Sequence, residues 1–183
     1  MEWPFPSVGP YFPDIDPASW REKKPYYPFR EITPADAFWA AKIVLRFERA
    51  HLEAAVQTAK LSDPAAARYL VDTMVARANT LGLVYLSEVT ALDRFHLRDG
   101  KLCMLDLLVH HGLGFGGEAE RIVDGQVVER HAISRTGQVC FRGPQDAYER
   151  YELRVRRGDE LPAIQVHLRG GNTPRLLGVV RDW

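Results

Sequence analysis

The histidines and cysteines of the second half are the first residues whose types could do chemistry. His110 and His111 are adjacent, and neighbouring side chains on a predicted strand point to opposite faces, so they are not expected to bind one metal. Cys103 and Cys140 belong to no Cys-x-x-Cys pair of the kind that a zinc site needs. We therefore interpret both cysteines as small buried apolar residues and predict that they are reduced and metal-free.

Three other patterns resemble functional motifs, and each lacks a required part. Residues 112–117 have Gly-x-Gly-x-Gly spacing, but predicted strands flank them, whereas a phosphate loop leads into a helix. Asp14 and Asp16 resemble the start of a calcium loop that lacks its later glycine and glutamate. No serine lies in a Gly-x-Ser-x-Gly turn. The sequence predicts no cofactor and no metal, and it leaves any catalytic residue unknown.

Composition and charge do not favour a nucleic-acid partner. Of the 183 residues, 46% are hydrophobic and 26% are charged, and 24 basic side chains balance 24 acidic ones. Residues 1–93 carry a net charge of −2 and residues 94–183 a net charge of +2. A nucleic-acid partner is not expected, because such proteins usually show a basic excess.

Hydropathy predicts no membrane span, because no apolar run approaches the roughly 18 residues that a bilayer requires. The first residues contain neither the basic nor the apolar segment of a secretory signal. We expect a soluble chain in the cytoplasm by default, and this leaves export of a parent family open.

Residues 1–32, here called the N-terminal arm, combine seven prolines with eight aromatic rings. Dense proline prevents helix continuation and strand pairing, so an extended arm is predicted. A disordered linker is poor in aromatic residues, so we expect the rings to pack on the protein, with Trp20 as a main anchor. The candidate interaction surface comprises Trp3, Phe5, Tyr11, Phe12, Trp20, Tyr26 and Tyr27.

Residues 33–93 are predicted to form a small helical unit of about three helices. Thr33 followed by Pro34 is typical of a helix start, and so is Asp63 followed by Pro64. A further helical pattern covers residues 49–60. Apolar residues at spacings of three and four form stripes that must face a core. The residues expected to be largely buried are Phe38, Ile43, Leu45, Phe47, Leu70 and Met74.

Residues 94–183 change from helical to alternating periodicity and predict seven or eight short strands. Asp99-Gly100 and Asp124-Gly125 are strong hairpin signals. The predicted fold class is therefore α+β: the N-terminal arm, the helical unit, and an antiparallel β-sandwich of the Ig/fibronectin-III-like kind.

Four sequence runs resemble a bacterial family. Residues 16–23, 34–44, 61–67 and 91–95 are similar to the C-terminal region of large uncharacterised bacterial proteins whose upstream part looks distantly kinase-like. The similarity covers about residues 10–110 well and the β unit loosely. Where the family has an Arg-Arg-Asp-like patch, this chain has Ala76-Arg77-Ala78-Asn79. The resemblance implies a C-terminal-type piece, whose partner is a larger protein or a separately encoded kinase-like region.

The predicted function is that of an accessory or protein-interaction module, with non-enzymatic action favoured. One alternative is a hydrolase-type enzyme with a pocket between the helical and β units. A third option is a glycan-binding sandwich, although the β half contains few Trp and Tyr residues, namely Tyr148, Tyr151 and Trp183.

Overall fold

A computed structural model describes residues 3–21, 23–24 and 26–181 and shows an α+β protein. The chain divides into two compact units, residues 1–85 (unit 1) and residues 86–183 (unit 2). None of the helices in the described part of the chain is long and apolar enough to cross a membrane.

Unit 1 is helical, and its helices begin at local capping signals. The Thr33 side chain accepts a hydrogen bond from the backbone N–H of Asp36, whose carboxylate accepts one from the backbone N–H of Thr33 at 2.9 Å. Asp63 caps a later helix by accepting from the backbone N–H of Ala65 at 2.8 Å. Both predicted helix starts are confirmed. The helices are α1 (Tyr27–Arg30), α2 (Pro34–Val44), α3 (Arg49–Gln57) and α4 (Pro64–Ser87).

The predicted core of unit 1 is confirmed only in part. Phe38 and Leu45 are buried, whereas Ile43, Leu70 and Met74 are half-buried. The prediction for Phe47 is wrong, because this side chain is 57% exposed. Helix α2 ends at Val44, so Phe47 lies in the connection to α3 and no longer follows the apolar stripe of the helix.

Unit 2 contains two antiparallel sheets. One has the strand order β1-β2-β5 and the other β4-β3-β6-β8-β9, with β7 paired to β6. Inward side chains of both sheets, including Met104, Phe141 and Leu153, belong to one buried cluster. The strands are β1 (Leu92–Arg98), β2 (Lys101–Asp106), β3 (Glu118–Val123), β4 (Gln126–Ala132), β5 (Gln138–Arg142), β6 (Glu149–Arg157), β7 (Asp159–Glu160), β8 (Ile164–Arg169) and β9 (Arg175–Arg181).

Both predicted hairpins are confirmed, at the β1–β2 and β3–β4 connections. Asp99 and Gly100 have φ angles of 51° and 71°, and Asp124 and Gly125 have 49° and 76°. A two-residue turn with positive φ at both positions matches the twist of the flanking strands, and Asp-Gly accommodates it at low cost.

The strand predicted to carry His110 and His111 ends before them, at Asp106. The Asp106 side chain accepts from the backbone N–H of Val109 at 3.0 Å and starts a single helical turn, α5 (Leu107–His110). The reasoning that placed His110 and His111 on opposite strand faces is therefore wrong. Their ring centroids lie 4.9 Å apart at the end of this turn.

The prediction of two reduced thiols is also wrong, because Cys103 and Cys140 form a disulfide. The two residues face each other on the paired strands β2 and β5, with their Cα atoms 4.1 Å apart. Sequence spacing does not reveal strand register, and the register is what brings the two sulfurs together.

Replacing Phe38 with alanine should lower the free energy of unfolding by about 3–5 kcal/mol, because a buried ring leaves a cavity. The matched replacement Phe47→Ala should cost about 1 kcal/mol or less, because that ring already faces solvent. Urea unfolding of both variants measures the difference. Equal losses would contradict the assignment of Phe38 to the core.

Reduction of the disulfide should lower the stability of unit 2 by about 3–4 kcal/mol, since it releases a closed loop of 37 residues in the unfolded chain. Denaturant unfolding with and without dithiothreitol measures the effect. A Cys103→Ser/Cys140→Ser variant is the control and should show no response to the reductant. Two free thiols in protein alkylated before any reduction would disprove the bond.

Candidate interaction surface

The start of the N-terminal arm is attached to helix α4. The ring of Phe5 contacts the ring of Tyr69, with centroids 5.3 Å apart. The Tyr69 hydroxyl donates a hydrogen bond to the backbone carbonyl of Tyr11 at 3.0 Å. Because Tyr69 bonds to the backbone of the arm, it keeps the arm close to α4 and also fixes the path that the arm follows.

Arg77 lies about two turns beyond Tyr69 in α4 and binds the next part of the arm. Its Nε donates to the backbone carbonyl of Phe12 at 2.7 Å. Its guanidinium carbon also lies 3.8 Å from the centroid of the Tyr11 ring, where a cation is attracted by the π face. Two contacts of different kinds therefore fix the orientation of one half-buried guanidinium.

The structure separates the seven candidate surface residues into two groups. Phe5, Tyr11 and Phe12 are half-buried. The other four are exposed, and Trp20 is 57% exposed, so it is not a main buried anchor. The exposed members are Trp3, Trp20, Tyr26 and Tyr27.

A pocket of about 550 Å³ opens within unit 1 between the N-terminal arm and the helices. This volume lies in the range typical of small-ligand sites. The arm contributes apolar lining from Tyr11, Ile15, Pro17 and Trp20. The helical side contributes Val44, Phe47, Leu52, Met74, Leu81 and Tyr85.

Two charged residues, Asp16 and Arg77, also line the pocket. Asp16 Oδ1 accepts from the backbone N–H of Ala18 at 3.0 Å. The Ser19 side chain and the backbone N–H groups of Ala18 and Ser19 lower the pKa of Asp16, so its carboxylate is ionised and bonded within its own turn. Arg77 is the charged group of the pocket that is not engaged in such a local turn.

A pattern in the sequence that is not a known functional motif indicates Arg77. Leu70, Met74 and Leu81 share one stripe of α4, and Arg77 occupies the remaining position of that stripe. A charged residue at an apolar position of a helix requires a partner where it is buried. The partner is a backbone carbonyl of the arm, and no pattern in the sequence identifies it.

In unit 2, the buried carboxylate of Glu120 and the two cysteines are engaged in structural contacts. Glu120 is buried between Arg130 and Arg154, with oxygen–nitrogen distances of 2.8 Å to each. Burial raises the pKa of Glu120, but the hydrogen bonds from Arg154 and Arg130 outweigh it and hold that pKa below its usual value. The cysteines are bonded to each other, so neither is a nucleophile in this state. Among the residues that the structure describes, no group of three His, Cys, Asp or Glu side chains could hold a metal ion.

Phe5→Ala should destabilise unit 1 by about 1–2 kcal/mol, because the ring loses its contact with Tyr69 and its partial burial. The matched change Trp3→Ala, two residues earlier in the same arm, removes an exposed ring and should change the stability little. Thermal unfolding monitored by circular dichroism compares the two. Unchanged melting of Phe5→Ala would show that the arm is not attached through this ring.

Comparison with protein-family models, curated proteins and solved structures finds no match to the chain. The resemblance to the C-terminal region of large bacterial proteins stays a prediction. The roles of residues in this chain therefore rest on their own geometry and chemistry.

Proposed function

We propose that this chain is an accessory protein-interaction module that acts without catalysis and binds its partner through unit 1. The supporting observation is the distribution of exposed aromatic rings. In the described part of the chain, six exposed rings belong to unit 1 and two, Phe115 and Tyr148, to unit 2. The six are Trp3, Trp20, Tyr26, Tyr27, Trp39 and Phe47.

Exposed aromatic residues favour a protein partner for a physical reason. Trp and Tyr bury a large area while losing little side-chain entropy, so they are enriched in interfaces and among the residues that dominate binding energy. The contacts of Phe5, Tyr11 and Phe12 with α4 hold the start of the arm. A partner therefore meets a surface that is partly organised before binding, which lowers the entropy cost of association.

For unit 2 we propose a β-sandwich of the Ig/fibronectin-III-like kind, as predicted. The order β1-β2-β5 corresponds to strands A-B-E of such a sandwich. The order β4-β3-β6-β8 corresponds to C′-C-F-G, and β9 adds a strand beside G. Both sheets contribute to one buried cluster, as the two inner faces of a sandwich do.

A tyrosine contact supports the same assignment. Immunoglobulin-like sandwiches often carry a tyrosine near the start of strand F whose hydroxyl bonds to the backbone a few residues upstream. Tyr151 lies near the start of β6, the strand F equivalent, and its hydroxyl donates to the carbonyl of Arg142 at 2.9 Å. The fold does not by itself assign a function, because sandwiches host many unrelated ones.

The alternatives receive less support. A glycan-binding sandwich would present rings on a sheet face, but in the described strands the rings of Phe95, Phe141 and Tyr151 are buried or half-buried. Trp183 lies outside the described residues. A hydrolase acting between the two units stays a prediction.

The proposed partner is a larger protein, or a kinase-like region that is encoded separately, as the family resemblance implies. Replacing Tyr27 or Trp39 with photoreactive p-benzoylphenylalanine should yield a cross-link to one protein species in cells that express the chain. The same replacement at Val128, an exposed residue of β4, is the control and should yield none.

Competition by unlabelled protein tests whether the cross-link is specific. Excess unlabelled protein should suppress it. A variant with Trp3, Trp20, Tyr26 and Tyr27 changed to alanine should not, and thermal unfolding of this variant checks that it is still folded. Equal cross-linking from Val128, or equal competition by the variant, would refute the proposed surface.

A further inference from the structure

We propose that the pocket of unit 1 binds an apolar group bearing one negative charge, whose anionic end is held by Arg77. This inference deepens the proposed function, because it names the chemistry that a partner or ligand must bring to the surface. It concerns the pocket between arm and helices, which shares Trp20 and Phe47 with the six exposed rings of unit 1.

The guanidinium of Arg77 has a fixed orientation in this pocket, and its Nη donors can still form hydrogen bonds. Arg77 uses Nε for the carbonyl of Phe12 and one face of its guanidinium for the ring of Tyr11. Neither of its Nη atoms has a hydrogen-bond acceptor among the described residues. A guanidinium offers five N–H donors in a planar fork that matches a carboxylate, so two donor groups remain for a ligand.

The second charged group of the pocket already has a hydrogen-bond partner. The backbone N–H of Ala18 donates to the Asp16 carboxylate at 3.0 Å within the same turn. A ligand cation would therefore compete with donors that are already in place. A ligand anion at Arg77 adds hydrogen bonds where none exist.

The rest of the lining selects an apolar body. Side chains such as Leu52, Met74 and Leu81 form the wall opposite the arm, and Phe47 and Trp20 stand at the pocket with more than half of their area exposed. A ligand ring or short chain removes this surface from water at about 25 cal/mol per Å². In these apolar surroundings a charge-assisted hydrogen bond is stronger than one formed in water.

The same chemistry has two sources: a free aromatic or aliphatic carboxylate, and a carboxylate beside an apolar residue at the end of a partner's chain. Both place an oxyanion at Arg77 and an apolar group against the helices. The pocket volume of about 550 Å³ suits either a small molecule or one terminal residue.

The test uses the full chain and the neutral fluorophore N-phenyl-1-naphthylamine, which should bind the pocket and be displaced by competitors. 2-Naphthoate and 2-naphthamide have the same ring system and differ in charge. We expect 2-naphthoate to displace the fluorophore at least about tenfold better than the amide, the effect of one charge-assisted hydrogen-bonded pair.

Three variants assign the effect to the pocket. Arg77→Gln should abolish the preference for the carboxylate while the fluorophore still binds. Arg68→Gln, an exposed arginine of the same helix, is the matched control and should keep the preference. Ala78→Trp fills the pocket and should prevent binding of the fluorophore.

The inference is overturned if the native chain does not bind the fluorophore, or if the amide competes as well as the carboxylate. It is also overturned if the preference survives Arg77→Gln, or if Ala78→Trp leaves binding intact. If Arg77→Gln releases the arm and no longer binds the fluorophore, the inference is tested by comparing the carboxylate with the amide in the native chain and in Arg68→Gln. Equal competition there overturns it.

A tripeptide, Ala-Ala-Phe, with either a free or an amidated end separates the two sources. Stronger displacement by the free peptide than by 2-naphthoate identifies a partner's chain end, and the reverse order identifies a small molecule. The displacement assay contains no partner protein. If the cross-link is not found but the chain still prefers the carboxylate, only the proposed function is refuted. If the cross-link is found but the chain shows no preference for the carboxylate, only this inference is refuted.

Discussion

The attachment of the arm to Arg77 is the interaction on which unit 1 depends. One side chain of α4 bonds the carbonyl of Phe12 and lies against the ring of Tyr11. These contacts place one wall of the pocket opposite the helices, and Arg77 itself lines that pocket. The same residue therefore holds the arm at Phe12, lies against the Tyr11 ring and supplies a positive charge to the pocket lining. Shifting this arginine by one residue would rotate it about 100° around the helix axis and remove all three.

The two units stabilise themselves by different means. Unit 2 buries a large cluster of side chains contributed by both of its sheets. The buried cluster of α3 and α4 is small, with Leu52, Val56 and Val71 as its fully enclosed members. A helical unit of this size buries too little apolar surface to be very stable alone. The aromatic residues of the arm compensate for this by covering part of α4.

Local features of the fold were predictable and distant ones were not. The Asp-Gly turns and the Thr33 and Asp63 caps depend on a few consecutive residues, so their sequence suffices. The disulfide depends on which residues of β2 and β5 stand opposite each other, a matter of strand register. Phe47 was misassigned because a helix end three residues earlier changed its direction. Predicting the pocket would require the path of the arm over α4. Neither the proline content nor the aromatic content of the arm specifies that path.

The bond between Cys103 and Cys140 makes unit 2 sensitive to the redox state of its surroundings. Disulfides persist in the oxidising spaces outside the cytosol and are rare where glutathione keeps thiols reduced. In a reducing environment β2 and β5 would still be joined by backbone hydrogen bonds and by the packing of side chains such as Leu102 and Phe141. The three-stranded sheet would lose the covalent link between these two strands, so the oxidation state of this pair would report the environment that the protein has met.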